Sequence, residues 1–216
     1  MAHHAITRLG YVRRFPARAT IHAKNSEAMD IATISSGVAA SASFMRDGRM
    51  QILSLHFSGD ILGRADRSSS PHEVIALTDL KIFSLRKKTF LEEMKRDTAL
   101  RERYLEGMLD QLDAARAWMT KLGRRSATAR VASVLVLLID RLGYCRSHAG
   151  GEPSLELPIS REEVAGFTGL ALETVSRSMT HLNRLGVISS DRRYITFRNE
   201  TQLRAIADDE PFAPKA

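Results

Sequence analysis

Glu173, Ser176 and Arg177 are spaced i, i+3, i+4, and on an α-helix that spacing puts all three on one face. These residue types suit the reading of base edges. An arginine at position 177 can donate two parallel hydrogen bonds to guanine O6 and N7. Glu173 can accept from cytosine N4 or hold the guanidinium in place, and Ser176 is small enough to let a helix approach and bond a base edge. Thr180 and Arg184 continue the same face, and Thr174 flanks it, so these three are candidate phosphate contacts. Taken alone, Glu173 and Arg177 read more simply as an i,i+4 surface ion pair worth about 0.3 kcal/mol.

The elements that would position this face are legible around it. Ser160-Arg161-Glu162-Glu163 reads as a capping box, which predicts a short helix burying Val164, Ala165 and Phe167 and stopping at Gly169. A second helix is expected from about Leu172 to Leu185, with Val175, Met179, Leu182 and Leu185 as its inner stripe. Helix, glycine turn and second helix with a polar outer face form a helix-turn-helix, whose second helix enters the major groove of double-stranded DNA. Val187-Ile188 and Tyr194 to Phe197 flank Ser189 to Arg193, which reads as a hairpin with a basic tip, a wing whose Arg192 and Arg193 can touch phosphate.

Upstream, Val131, Val134, Leu135, Leu138 and Leu142 mark one face of a further helix, and Leu122-Gly123-Arg124-Arg125 reads as a helix stop and hinge. Before the hinge, Leu105, Met108, Leu112, Ala115, Met119 and Leu122 recur at intervals of 3, 4, 3, 4 and 3. That seam predicts a long helix pairing with its own copy, the alternative being a stripe that packs only on its own domain. From about residue 10 to 90 the pattern is β: Ile31 to Ile34, Ala42 to Met45, Met50 to Phe57, Val74 to Leu77 and Lys81 to Leu85, with Asp47-Gly48 as a hairpin turn and Ser58-Gly59-Asp60 as a second turn. Many short strands at such spacing suggest a sandwich or barrel.

Composition narrows the class. The formal net charge of the 216 residues is +7, which suits a polyanionic partner. The charge is spread over both halves, so DNA binding rests on where the arginines sit. One cysteine, Cys145, excludes an intrachain disulfide, a zinc cluster and a four-cysteine iron–sulfur site. Cys145 as a redox switch stands beside the plainer reading of an incidental thiol. No apolar run approaches a membrane span and no signal-peptide core opens the chain, so a cytoplasmic protein with no membrane partner is expected. There is no H-x-H pair of a metal-binding cupin, no G-x-S-x-G, no H-E-x-x-H and no P-loop lysine, so an enzyme is not expected. The seven histidines are scattered without metal spacing.

Three segments carry a family resemblance: Leu122 to Ala127 with Arg130-Val131-Ala132, Leu157 to Ala165, and Gly169 to Arg177. Together they resemble the CRP/FNR superfamily of bacterial transcriptional regulators. Gly37, Gly48, Ser58-Gly59-Asp60 and Leu62-Gly63 extend the likeness more weakly into the β region. The resemblance implies an α+β chain: an N-terminal double-stranded β-helix (a cyclic-nucleotide-binding-like jelly roll) over 1–95, a dimerisation helix over 96–122, a winged helix-turn-helix over 123–205 and an acidic tail over 206–216. Leu172 and Ser176 stand where CRP-like members have Arg and Gly, and Glu-x-x-Ser-Arg is the FNR/FixK arrangement. That branch implies a homodimer on a TTGAT-NNNN-ATCAA palindrome, RNA polymerase as a partner, activation of transcription, and control by oxygen, nitric oxide or nitrogen metabolism. Ala171 stands where the family often has a capping Thr or Ser. Gly63 is followed by Arg64-Ala65, and Ser70-Pro71 lies where cyclic-nucleotide binders have Arg-Ser, so neither the ribose glutamate nor the phosphate arginine is present. No cofactor is therefore expected, and the barrel reads as a degenerate sensor. Haem on a histidine, as in some gas-sensing relatives, is the remaining alternative.

Overall fold

The structure, a computed structural model, describes residues 9–27, 30–46, 48–66, 69–144, 153–191 and 194–209. The chain divides into two compact units, Met1–Arg116 and Ala117–Ala216.

The N-terminal unit is a jelly roll of two antiparallel sheets. Its strands are β1 (Tyr11–Phe15), β2 (Thr20–His22), β3 (Asp30–Ser36), β4 (Ala39–Phe44), β5 (Met50–His56), β6 (Ile61–Leu62), β7 (Glu73–Ala76) and β8 (Leu80–Arg86). One sheet runs β1-β8-β3-β6 and the other β2-β7-β4-β5. Strand alternation explains the core. Ala32 and Ile34 of β3, Leu62 of β6, and Leu80 and Ile82 of β8 face Ile21, Ala39, Val74 and Ala76 of the other sheet in one buried cluster. The expected turn at Gly48 is present, with Met45 N–H donating to Arg49 O at 2.8 Å. So is the turn at Gly59, where Phe57 N–H donates to Asp60 Oδ2 at 2.8 Å. Gly37 and Gly63 are required by space as well as by φ (+93° each). A Cβ would stand 2.3 Å from Asp79 O at Gly37 and 2.6 Å from Asp30 O at Gly63.

The opposite face of β3 and β8 carries the helices. Ile31 and Leu85 join Phe90 of α1 (Lys87–Arg96) and Tyr104 of α2 (Thr98–Arg124) in a second buried cluster, with Met108 packed against it. The Phe90 and Tyr104 rings meet edge to face at 5.2 Å. The Tyr104 hydroxyl accepts from Ala65 N–H at 2.9 Å, and the Gln111 amide donates to Ile61 O at 2.9 Å. Asp97 ends α1 and starts α2, its Oδ1 accepting from Leu100 N–H at 3.1 Å.

In the C-terminal unit the core helix is α3 (Ala127–Leu142), capped by Ser126, which accepts from Ala129 N–H. Val131, Val134, Leu135 and Leu138 are buried as expected, whereas Leu142 is exposed. Around α3 pack α4 (Arg161–Thr168), α5 (Leu172–Arg184) and α6 (Glu200–Ala207), and a three-stranded sheet β10-β11-β9 (Ile188–Asp191, Tyr194–Phe197 and Ser154–Glu156) meets α5 through β10.

Several details differ from the sequence reading. The stop expected at Gly123 is not used: α2 runs through it to Arg124, and the break falls at Arg125–Ser126. The wing has a third strand, β9, which pairs Leu155 with Ile195. A final helix, α6, closes the unit and runs through Ala207, two residues into the stretch expected as an acidic tail. It is held by Arg204, which donates to Asp140 of α3 at 2.6 Å and to Glu200 at 2.8 Å. Arg125 donates to Ala207 O and Asp208, closing the C-terminal end of that helix. Cys145, the Gly150-Gly151 loop, and Arg192 and Arg193 lie outside the described residues.

Candidate nucleic-acid interface

Helix α4 begins with the expected capping box. Glu163 N–H donates to Ser160 Oγ at 3.2 Å, and Ser160 N–H donates to Glu163 Oε2 at 2.6 Å. Two orphan amides of the first turn are thereby satisfied, which starts the helix at a defined residue. Val164, Ala165 and Phe167 are buried, and Gly169 takes the left-handed conformation (φ 66°, ψ 30°) that ends it.

Three residues later α5 starts at Leu172, with Ala171 in the cap position and no side-chain cap bond. Thr174 N–H closes on Ala171 O at 3.0 Å, and no side chain caps the amides before it. A phosphate oxygen is a suitable acceptor, since a helix N-terminus carries partial positive charge. Val175, Met179 and Leu182 are buried on the inner side, joined by Ser178, while Leu185 of the expected stripe is exposed.

The outer side is the face singled out from sequence. Glu173, Arg177, Thr180 and Arg184 are exposed, and Ser176 and Thr174 are half-buried. The Arg177 guanidinium donates to Thr174 Oγ1 at 3.2 Å. It is held by a neutral hydroxyl one turn back, a contact a base edge can replace at little cost. The Thr180 hydroxyl is turned back to Ser176 O at 3.0 Å.

One residue of this site escaped the sequence reading. Asn183 donates from Nδ2 to Ser190 Oγ at 2.8 Å and accepts from Ser190 N–H at 3.1 Å, tying the recognition helix to the first wing strand. An asparagine late in a helix has no periodic signature of such a bond, because its partner is chosen by the fold of the wing. A cavity of about 170 Å³ lies in the crease between α4, α5 and the wing, lined by Ile159, Met179 and Ile195 among others.

On α2 the apolar positions separate into two sets. Leu105, Leu112 and Met119 are 53%, 44% and 61% exposed, whereas Met108, Ala115 and Leu122 are half-buried. Leu109, outside the expected seam, is 60% exposed. In the N-terminal unit, Arg64 forms an exposed ion pair with Asp66 at 2.8 Å. Among the described residues no group of three or more His, Cys, Asp or Glu is placed to hold a metal. No helix in those residues is long and apolar enough to cross a membrane.

Comparison with known proteins agrees with this architecture. Residues 12–97 match the cyclic nucleotide-binding domain family and residues 129–206 the Crp-like helix-turn-helix domain family. The chain is 34% identical over 207 residues to the transcriptional activator protein FnrL of Cereibacter sphaeroides, covering 95% of this chain and 84% of that one. It is 32% identical to the nitrogen fixation regulation protein FixK of Rhizobium meliloti over 178 residues, 81% and 77% of the two chains. Among solved structures, FixK2 of Bradyrhizobium japonicum superposes with a TM-score of 0.81 at 26% identity, covering 94% of this chain and 98% of that one. These relatives are transcriptional regulators rather than enzymes. With a jelly roll, a long helix and a capped helix-turn-helix presenting Glu173, Ser176 and Arg177 in that order along the chain, the protein belongs to the FNR/FixK branch of the CRP/FNR family of transcriptional regulators.

Proposed function

We propose that the protein is a cytoplasmic, homodimeric transcriptional activator that reads a TTGAT-NNNN-ATCAA palindrome and recruits RNA polymerase there. The observation that carries this reading is the face of α5. Glu173, Ser176 and Arg177 share one outer side of a helix whose inner side is buried by Val175, Met179 and Leu182. Arg177, held in the free protein by Thr174 Oγ1, reads a guanine, Glu173 accepts from a cytosine, and Ser176 lets the helix approach. Thr174, Thr180 and Arg184, with Arg192 and Arg193 of the wing, contact phosphate and set the register.

The exposed stripe of α2, Leu105, Leu109, Leu112 and Met119, supports self-pairing. Large apolar side chains rarely line one face of a helix in open water without a partner. The dimer presents two recognition helices about 34–36 Å apart, one turn of DNA. The barrel acts without a cyclic nucleotide, because Arg64 follows Gly63 where the resemblance calls for the ribose glutamate, and Ser70-Pro71 stands where it calls for Arg-Ser. It also acts without a metal or haem. The branch resemblance places its targets in oxygen, nitric oxide or nitrogen metabolism.

A band-shift titration on the palindrome tests the reading. A shift at nanomolar protein that is lost when both TTGAT halves are scrambled supports it. Equal affinity for the scrambled duplex overturns it.

A further inference from the structure

Helix α4 ends with carbonyls that have no partner inside the helix, as every helix does. Two of them are taken by side chains from other elements. The Trp118 indole Nε1–H donates to Phe167 O at 3.1 Å, and Arg130 Nη1 donates to Thr168 O at 3.5 Å. The same Trp118 ring lies flat on the Phe167 ring, with centroids 4.0 Å apart and planes 2° from parallel. Arg130 also donates from Nε to Arg125 O at 3.1 Å, at the break between α2 and α3. Trp118, in the last turns of α2, thus grips α4 twice, once through its face and once through its edge. From Phe167 to the first residue of α5 is a short, defined path through the Gly169 turn.

We infer that Trp118 is a positioning residue for DNA recognition, setting the angle at which the helix-turn-helix leaves the end of α2. A flat ring stack resists tilting and sliding, and the hydrogen bond to a backbone carbonyl removes rotation about the stack normal. An aliphatic side chain of equal volume would fill the space and leave both motions free. The inference rests on the dimeric reading given above. In a dimer paired along α2, the angle at this joint determines which half-site spacing the two recognition helices match. Trp118 is also the single tryptophan of the chain, so its emission reports on this joint alone.

The experiment selects DNA from a random pool with the wild-type chain. It then measures affinity for the selected palindrome and for versions with one base pair added to or removed from its centre. Wild type is expected to discriminate between spacings. Trp118→Ala and Phe167→Leu should each lose about tenfold of that discrimination, with binding to unrelated DNA unchanged. The double variant should lose no more than either single one. Trp118→Phe keeps a ring on Phe167 and should keep most of the discrimination. The tryptophan emission of Phe167→Leu should shift to the red as the joint opens, and this variant carries the test if Trp118→Ala fails to fold. Equal weakening on every spacing, or unaltered spacing preference in Phe167→Leu, overturns the inference while leaving the proposed function standing. A wild-type chain that selects no palindrome overturns both.

Discussion

Leu112→Asp is expected to convert the protein to a monomer without unfolding it. In the single chain Leu112 leaves 44% of its surface to water and its neighbour Leu109 leaves 60%. Full burial of a leucine side chain is worth about 1.5–3 kcal/mol, so covering the remaining half contributes about 1 kcal/mol. Self-pairing about a two-fold axis places each residue at the interface twice, so the substitution removes about 2 kcal/mol of burial. It also puts two carboxylates into an apolar contact, at a further cost of at least about 1 kcal/mol each. A loss of about 4 kcal/mol raises the dimer dissociation constant about a thousandfold. Sedimentation velocity over a range of protein concentrations reads this directly, and a band shift on the palindrome should weaken in parallel. Met108→Asp is the control. Met108 packs on the cluster of Ile31, Leu85, Phe90 and Tyr104, so its replacement should lower the unfolding temperature. A Leu112→Asp chain that stays dimeric at wild-type concentrations refutes the assignment of this face.

Arg177→Ala should cost about 1–3 kcal/mol per half-site and abolish specific binding, and undiminished affinity for the palindrome would sink the base-reading role. Replacing Arg192 and Arg193 with Gln should weaken specific and unrelated DNA alike and flatten the salt dependence, whereas a loss confined to the specific site would contradict a phosphate role. Asn183→Ala removes both bonds to Ser190 and should lower stability by about 1–2 kcal/mol while loosening the wing, seen as faster amide exchange across β10; unaltered exchange argues against the clamp. Burial and then the Arg13 guanidinium hold the His22 imidazole below its ordinary value, against an opposing pull from Asp30. The unfolded chain therefore takes up this proton at a higher pH than the folded one, so stability falls as the pH drops through the ordinary histidine range. Melting curves between about pH 8 and pH 5 should show that slope, and His22→Asn should flatten it; an equal slope in the variant would assign it to other groups.

The recognition helix could be read from the chain alone because every determinant is local. The capping box spans Ser160 to Glu163, Gly169 supplies its own left-handed turn, and the buried stripe of α5 repeats at the helical period. The β character of the N-terminal region was legible for a similar reason, since alternation in β3 and β8 and the turns at Gly48 and Gly59 are short-range signals, whereas the short strands β1, β2 and β6 had no such signal and the jelly roll followed only from the family resemblance. The seam of α2 was only half legible. A repeat of 3.5 drifts about 20° per heptad on a straight helix, so one apolar band can serve two adjacent faces. Tertiary packing assigned Met108 to the barrel and left Leu109 in water.

Strand β9, the Asn183 clamp, the Arg125 and Arg204 anchors of α6, and the stack of Trp118 on Phe167 have partners dozens of residues away or, for Asn183, across a turn whose shape the wing decides. Their residue types carry no period and no spacing. What the sequence determined by itself was which residues share the outer face of α5. What only the tertiary structure decided was how that face is held, because holding it depends on contacts between segments that meet only once the chain has folded.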